Sequence, residues 1–308
     1  MKYVDLVLPS KNPGNRFVSV VRAWLAQDIP SGWLLNVIVV DDGSLEPLLE
    51  SDDELRGEVI RLRNQVSQGR SVARNQGAAA GDGSIIIFAD ADCMPMSKSV
   101  VEAYVEAFES VDFGVGVLTS NGLDFWDKYF CKIAAQRKDD LSNNNIMAFT
   151  SANFAIARTL YEKVNGFDER YTAYGFEDKD FIARIDKLDV EVTVVLGAVL
   201  SHNGDTDLKV IAEKLFESGK SSSEIFLENH PLLYRRSMYY KADARFGIVP
   251  YIMVLLLGPV SDWLIGLFGR VVNSKSKYVP FRAKCWVVKF CMLLAYAKGT
   301  SAGARGVE

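Results

Sequence analysis

The sequence is poor in cysteine and histidine, and it carries no excess of basic charge. Its four cysteines stand far apart without a Cys-x-x-Cys pair, which excludes a disulfide scaffold and a zinc knuckle. We therefore expect reduced, structural thiols in a cytosol-facing protein. The formal net charge of −4 argues against a general nucleic-acid-binding protein, because such proteins usually present a basic face.

Two further features are missing. The 23 glycines have no triplet period, which excludes collagen, and the first twelve residues do not form a signal peptide because Asp5 interrupts their short apolar run. Apolar residues, in contrast, are plentiful: 49% of the 308 residues are hydrophobic, enough for a large core. This length predicts two domains, or one large α/β domain with an appendage.

Strand-like and helix-like segments alternate over the first hundred residues. The predicted strands cover residues 3–9, 35–40, 59–62 and 84–89, and the predicted helices cover residues 17–27, 71–80 and 99–108. This order is typical of an α/β fold with a mostly parallel sheet and helices on both faces.

Polar clusters follow three of these strands. They are Pro9-Ser10, Asp41-Asp42 and Asp90-Ala91-Asp92. Because ligands of open α/β sheets bind beyond the carboxyl ends of the strands, we expect these clusters to form one acidic pocket. Two carboxylates on alternate residues suit Mg²⁺ or Mn²⁺ holding a diphosphate. The alternative is a solvated turn in which Asp92 caps the next helix.

Two other segments have a structural and a functional interpretation. Asp41-Asp42-Gly43-Ser44 is either a capped turn or a carboxylate pair that recognises a ribose or base edge. Arg74 lies near the start of an alanine-rich helix, where it would bind either a phosphate or a structural carboxylate. The residues alone leave both pairs of alternatives open.

Together these segments resemble the family-2 glycosyltransferases of the GT-A fold. The resemblance rests on residues 7–12 (VLPSKN), 39–44 (VVDDGS), 73–77 (ARNQG) and 88–92 (FADAD), and it continues through 166–169 (GFDE) and 176–180 (FEDKD). Each motif is short, but they occur in the family's order and spacing over the first two thirds of the chain.

The resemblance implies roles for the donor-site residues. Asp42 would contact the nucleotide base, in a pocket lined by Pro9 and Ser10, while Asp90 would lie near the ribose or donor sugar. Asp92 would bind the divalent ion, Mn²⁺ or Mg²⁺, that bridges the diphosphate. Some relatives place a histidine at the position of His202 as a further metal ligand, and a hydrogen-bonding structural histidine is the alternative there.

The family resemblance also implies roles for residues that contact the acceptor. Asp178 would be the general base that deprotonates the acceptor hydroxyl, which predicts a single displacement with inversion. The alternative is that Glu177 and Asp178 form only the charged first turn of a helix. Glu177 and Trp126 are candidates for acceptor contacts, although the helical spacing around Trp126 favours ordinary core packing.

The end of the chain changes character. Residues 247–268 and 285–297 are strongly apolar, and residues 263–308 carry eight basic residues against one acidic residue, a net charge of +7. The remaining 262 residues have a net charge of −11. This pattern favours association with an anionic membrane. Pro250, Pro259 and Asp262 make a straight span doubtful, so an interfacial helix pair and a buried helical hairpin are the alternatives.

The sequence thus predicts a GT-A catalytic domain over residues 1–240 and a basic, membrane-associated helical region over residues 241–308. The predicted function is inverting, metal-dependent transfer of a sugar from a nucleotide-diphosphate sugar, UDP-linked in our interpretation, to a hydroxyl of a lipid-linked or polysaccharide acceptor. We expect this at the cytoplasmic face of the membrane. The alternatives are a nucleotidyltransferase and a non-catalytic membrane subunit that binds a nucleotide sugar.

Overall fold

The structure is a computed structural model that describes residues 1–49, 55, 57–120, 122, 124–202, 207–274 and 278–305. The strands are β1 (Lys2–Ser10), β2 (Trp33–Asp42), β3 (Val59–Asn64), β4 (Ile85–Ala89), β5 (Cys93–Pro95), β6 (Phe113–Thr119), β7 (Asn153–Ala157) and β8 (Thr193–His202). The helices of the first two hundred residues are α1 (Phe17–Leu25), α2 (Arg70–Ala79), α3 (Val100–Ala107), α4 (Phe125–Ser142), α5 (Arg158–Lys163) and α6 (Glu177–Asp186).

The strands form one sheet in the order β3-β2-β1-β4-β7-β6-β8-β5. The predicted α/β class is confirmed, and the predicted parallel arrangement holds for β3, β2, β1 and β4. Beyond β4 the sheet is mixed, because β7 runs antiparallel to both β4 and β6 and β5 runs antiparallel to β8. The prediction missed this change of direction because the direction of β7 depends on strand partners distant in sequence.

Two apolar layers cover the faces of this sheet. Leu6 and Leu8 of β1 pack with α1 and α3, whereas Val7 packs with α2 and α5 on the opposite face. This division follows from the strand period of two, since successive side chains point to opposite sides of the sheet. Strands buried on both faces explain the continuous apolar runs in the sequence.

The chain divides into two compact units. The first comprises residues 1–122, 130–169 and 181–204, and the second comprises residues 123–129, 170–180 and 205–308. The predicted domain boundary at residue 240 stays a prediction.

The second unit is helical. Its helices are α7 (Leu208–Glu217), α8 (Ser223–Asn229), α9 (Pro231–Arg236), α10 (Met238–Ala242), α11 (Ile248–Leu257), α12 (Ser261–Asn273) and α13 (Phe281–Arg305), with a π-helical turn at Ser218–Ser222 and a 3-10 turn at Gly258–Val260. In the described part of the chain, one helical stretch, Ile248–Asn273, is long and apolar enough to cross a membrane. Length and composition are weak support for a span, and membrane association stays a prediction.

Candidate active site

The carboxyl ends of the parallel strands place the predicted donor-site residues along one edge of the sheet. The register pairs Pro9 with Val40 and Ser10 with Asp41, so the end of β1 lies beside the end of β2. β4, which leads into Asp90, pairs with the other side of β1. Three of the predicted clusters therefore meet at one edge, as the strand order requires.

Asp42 is buried, and its carboxylate accepts four hydrogen bonds from the segment that joins β3 to α2. Oδ1 accepts from the Asn64 amide at 2.9 Å and from the backbone N–H of Gln68 at 2.8 Å. Oδ2 accepts from the Ser67 hydroxyl at 2.7 Å and from the backbone N–H of Gly69 at 3.0 Å. Burial alone would raise the pKa of Asp42, but these bonds outweigh it and hold the pKa below its usual range.

Asp41 organises the turn that follows β2. Its carboxylate accepts hydrogen bonds from the backbone N–H groups of Ser44, at 2.8 Å, and Leu48, at 3.3 Å. Gly43 has a φ of +74°, and a Cβ there would lie 2.6 Å from the backbone nitrogen of Ser67. Only glycine fits this turn without displacing the neighbouring backbone. The capped-turn interpretation of this motif is therefore correct for Asp41.

Helix α2 connects the other segments of the site through three consecutive side chains. Arg74 donates to the Asp90 carboxylate at 3.1 Å; phosphate binding by Arg74 stays a prediction. Asn75 donates to the backbone carbonyl of Phe167 at 2.9 Å and accepts from its N–H. Gln76 exchanges hydrogen bonds with the Asn64 amide. The ARNQG motif is visible in the sequence, but no local pattern indicates that Asn75 and Gln76 connect it to other motifs.

Strand pairing brings Asp92 and His202 together. In the antiparallel register of β5 and β8, Cys93 pairs with His202, so the preceding residue, Asp92, lies next to the imidazole. His202 Nε2 is 3.2 Å from Asp92 Oδ2, and 42% of the Asp92 side chain is exposed. Burial alone would raise the pKa of Asp92, but hydrogen bonding and positive charge from His202 lower it overall.

This pair fits a divalent metal. A carboxylate oxygen and an imidazole nitrogen are ligands that Mn²⁺ accepts, and both side chains are partly exposed at the end of a strand. Among the described residues there is no group of three or more histidine, cysteine or acidic side chains arranged to hold a metal. A metal here would therefore take further ligands from the diphosphate or from water. Because α3 begins at Val100, Asp92 does not cap the next helix, contrary to the alternative considered above.

All four cysteines carry free thiols in the structure. Burial, together with the carboxylates of Asp92 and Asp90, raises the pKa of Cys93 well above its usual value. Burial also raises the pKa of Cys291 to about 11. Cys131 is half-buried on α4, next to Phe130, whose ring centre is 5.4 Å from that of His202.

Asp178 lies in the first turn of α6, as the helix-turn alternative for Glu177 and Asp178 predicts. The preceding Gly175 and Phe176 have φ values of +95° and +68°. A left-handed conformation is unusual for an aromatic residue and is retained only when surrounding contacts enforce it. Those contacts are aromatic: the Phe176 ring centre is 5.0 Å from that of Phe226 and 4.8 Å from that of Tyr239.

The same turn contributes one member of a buried, hydrogen-bonded pair of side chains, Asp180 and His230. Asp180 Oδ1 lies 2.9 Å from His230 Nε2 and accepts a hydrogen bond from the Asn229 amide at 3.1 Å. Asp178 is 20% exposed and Glu177 is buried. Nothing in the sequence distinguishes Asp180 from the neighbouring Glu177 and Asp178, because its contact with His230 joins segments about fifty residues apart.

Trp126 is a packed residue of the second unit. It is buried, its Nε1 donates to the Asn273 side chain at 2.9 Å, and its ring makes edge contacts with Phe125 and Tyr129. These are the contacts expected from the core-packing interpretation. Its role in acceptor binding remains a prediction that these contacts do not support.

Comparison with solved structures identifies the fold. The mannosyltransferase PcManGT of Pyrobaculum calidifontis, in complex with GDP-Man and Mn²⁺, matches with a TM-score of 0.60 and 17% identity over 97% of this chain and 86% of its own. TarS of S. aureus (residues 1–349), in complex with UDP, matches with a TM-score of 0.57 and 14% identity over 99% and 92%. These matches show that the chain has a GT-A-like fold.

Sequence comparison identifies the family. Residues 5–164, more than half of the chain, match Glycosyl transferase family 2, and residues 140–202 match the N-terminal domain of galactosyltransferase. Glycosyltransferase AglE of Haloferax volcanii is 22% identical over 306 residues, covering 97% of this chain and 95% of AglE. The chain belongs to glycosyltransferase family 2, as the motifs predicted.

Proposed function

We propose that this glycosyltransferase is inverting and metal-dependent, and that it transfers a sugar from a UDP-linked donor to a hydroxyl of a lipid-linked or polysaccharide acceptor. The observation that carries the proposal is the pairing of β5 with β8. It holds a carboxylate and an imidazole 3.2 Å apart at a strand end. This arrangement suits a divalent ion bound to a diphosphate.

In this proposal the donor binds along the acidic edge. The backbone of Pro9 and Ser10 and the loop held by Asp42 form the pocket for the nucleotide base, and Asp90 lies near the ribose or the donor sugar. Asp92 and His202 would hold Mn²⁺ or Mg²⁺. When bound, that ion neutralises the charge that develops on the leaving nucleoside diphosphate.

The proposed general base is Asp178. Its carboxylate takes the proton of the acceptor hydroxyl while the hydroxyl oxygen bonds to the anomeric carbon. The bond from that carbon to the diphosphate breaks, and its electron pair leaves with the nucleoside diphosphate. Attack opposite the leaving group inverts the anomeric centre. A carboxylate suits this role because the proton leaves only as the new bond forms.

The substitution Asp178→Asn tests this assignment. We expect transfer to fall by about 10²–10⁴-fold, the contribution typical of a positioned base, with nucleotide binding largely unchanged. The control is Asp186→Asn, which makes the same change at an exposed position near the end of α6. Transfer would be measured with Mn²⁺ and radiolabelled UDP- and GDP-sugars, with NMR of the product anomer. Normal transfer by Asp178→Asn would exclude it as the base.

The acceptor and location belong to the same proposal. A net charge of +7 over residues 263–308 and the exposed apolar side chains of α11 and α12 support attachment to the cytoplasmic face of a membrane. An enzyme held there meets lipid-linked acceptors. Incubation of labelled donors with membranes, followed by extraction into organic solvent, would identify a lipid-linked product; label found only in water-soluble glycan would contradict the lipid-linked acceptor.

A further inference from the structure

The helices of the second unit leave a continuous apolar surface exposed. One row runs along α11 and α12 at helical spacing: Ile252, Leu255, Leu256, Val260, Trp263 and Leu267. A second row on α13 consists of Trp286, Phe290 and Leu293, spaced four and three residues apart. The rings of Phe268 and Phe290, 6.3 Å apart, join the rows. We call these two rows the apolar face. Contiguous exposed apolar surfaces of several large side chains usually mark an interaction site.

The opposite side of α12 packs against other helices of the second unit. Ser261, Ile265 and Val272 form its buried stripe, and α12 packs on α7 and α13. α7 carries exposed charges, including the ion pair between Lys209 and Glu213. A bilayer-crossing α12 would carry this charged helix into the hydrocarbon, where ionised side chains are strongly disfavoured.

A charged residue, Asp262, also lies in the middle of the apolar stretch and pairs with Lys298 of α13. The Asp262 side chain is 90% exposed and lies 3.1 Å from Lys298 Nζ. In a spanning helix beginning at Ile248, Asp262 would lie about 21 Å along the axis at 1.5 Å per residue, well inside the hydrocarbon core of about 30 Å. In an in-plane helix it can stay at the level of the headgroups.

Basic residues around the apolar face indicate what covers it. Arg270, Arg282 and Lys289 are exposed on the same helices, and Lys289 Nζ lies 5.9 Å from the ring centre of Trp286. Tryptophan beside lysine or arginine is typical of the membrane–water boundary. Two copies of a region with a net charge of +7 repel each other, whereas an anionic lipid surface attracts both.

We infer that the apolar face lies in the plane of an anionic leaflet and that Ile248–Asn273 does not cross the bilayer. The face would enter the headgroup and acyl boundary to a depth of about 5–10 Å. This inference deepens the membrane attachment of the proposed function, and its test requires no donor or acceptor, so the two can fail separately.

The first test is flotation of the full chain with vesicles of phosphatidylcholine, with and without phosphatidylglycerol. We expect binding to need phosphatidylglycerol and to fall at least tenfold in the double variant Leu255→Ser/Leu256→Ser. The control is Leu196→Ser, which removes a similarly exposed leucine of the first unit and should bind normally. Thermal melting would verify that both variants fold. Unchanged binding by the folded double variant would overturn the inference.

The second test measures orientation. Lipids with bromines placed shallow in the acyl chains should quench the fluorescence of Trp263 and Trp286 more than lipids brominated deep in the chains. That quenching should disappear in Trp263→Phe/Trp286→Phe. Stronger quenching by the deep bromines, or resistance of the bound protein to alkaline carbonate extraction, would show a span. Self-association that vesicles do not compete away would show that a second copy covers the face.

Discussion

Asp42 is the last residue of β2 and Asp92 follows the end of β4 by three residues, yet the surroundings of the two carboxylates differ. The carboxylate of Asp42 is buried and accepts four hydrogen bonds from the chain itself. The carboxylate of Asp92 is partly exposed and contacts the His202 imidazole. A carboxylate whose acceptor sites are filled holds a loop in place, whereas one that keeps an exposed oxygen can bind an added cation. We therefore propose that one of these carboxylates holds a loop and that the other binds the metal.

The largest expected effect comes from Asp92→Asn. A bound ion supplies several kcal/mol of transition-state stabilisation, so we expect transfer to fall about a thousandfold, with a melting temperature close to that of the native chain. The measurement is donor turnover against Mn²⁺ concentration. Asp82→Asn is the control, because Asp82 is exposed just before β4. An unchanged Mn²⁺ titration would remove Asp92 as a ligand.

Asp42→Asn, unlike Asp92→Asn, should lower the stability of the fold and leave the metal dependence unchanged. The amide has one acceptor oxygen and brings an N–H₂ group towards the donors of Gln68 and Gly69, so the free energy of unfolding should fall by about 3 kcal/mol. Urea denaturation would measure this loss. The Mn²⁺ dependence of the remaining activity should be unchanged. Native-like stability in this variant would contradict the loop-holding role.

Substitution of His202 should have a smaller effect on activity, and it distinguishes metal binding from a structural hydrogen bond to Asp92. Loss of a metal-site partner typically lowers affinity by about 10–100-fold, so His202→Ala should raise the Mn²⁺ concentration needed for activity by that factor. If His202 binds the metal, pulsed EPR of Mn²⁺ bound together with a nucleoside diphosphate should show coupling to an imidazole nitrogen, and this coupling should disappear in His202→Ala. Bound Mn²⁺ without that coupling would instead assign a purely structural hydrogen bond between His202 and Asp92.

The smallest effect is in the pH dependence of stability. Because the pKa of Asp42 is depressed in the folded state, its contribution is fully present above the usual pKa near 3.8 and is lost as the pH falls through the folded value. The difference in unfolding free energy between the native chain and Asp42→Asn should therefore shrink below about pH 4. A constant difference down to acid unfolding would show that the four hydrogen bonds do not depend on ionisation.

The fold was predictable where local patterns dominate. The apolar runs of β1, β2 and β4 and the alanine-rich α2 were located to within about two residues, the usual scatter of element ends. The antiparallel insertion of β7 was not predictable, because strand direction depends on partners distant in sequence. The start of α6 at Glu177 was predictable as one of two interpretations of Glu177 and Asp178, because acidic side chains stabilise the first turn of a helix.

The residue types of the site were predictable, but the hydrogen bonds that connect its segments were less so. The acidic edge followed from strand ends, and the proximity of His202 to Asp92 followed from the family resemblance. That Asp42 holds the segment from Asn64 to Gly69, and that Asp180 pairs with His230, depends on contacts between distant segments. No periodicity in the sequence encodes such contacts. They are visible only once the chain is folded.

The distribution of the thiols has a practical consequence. Cys93, Cys285 and Cys291 are buried, and the raised pKa values of Cys93 and Cys291 keep these thiols protonated and slow to alkylate. Cys131 is the more accessible thiol, adjacent in the chain to the aromatic ring that packs on His202. The native chain therefore offers an attachment point for a single fluorescent reporter next to the proposed metal edge, without engineered cysteines.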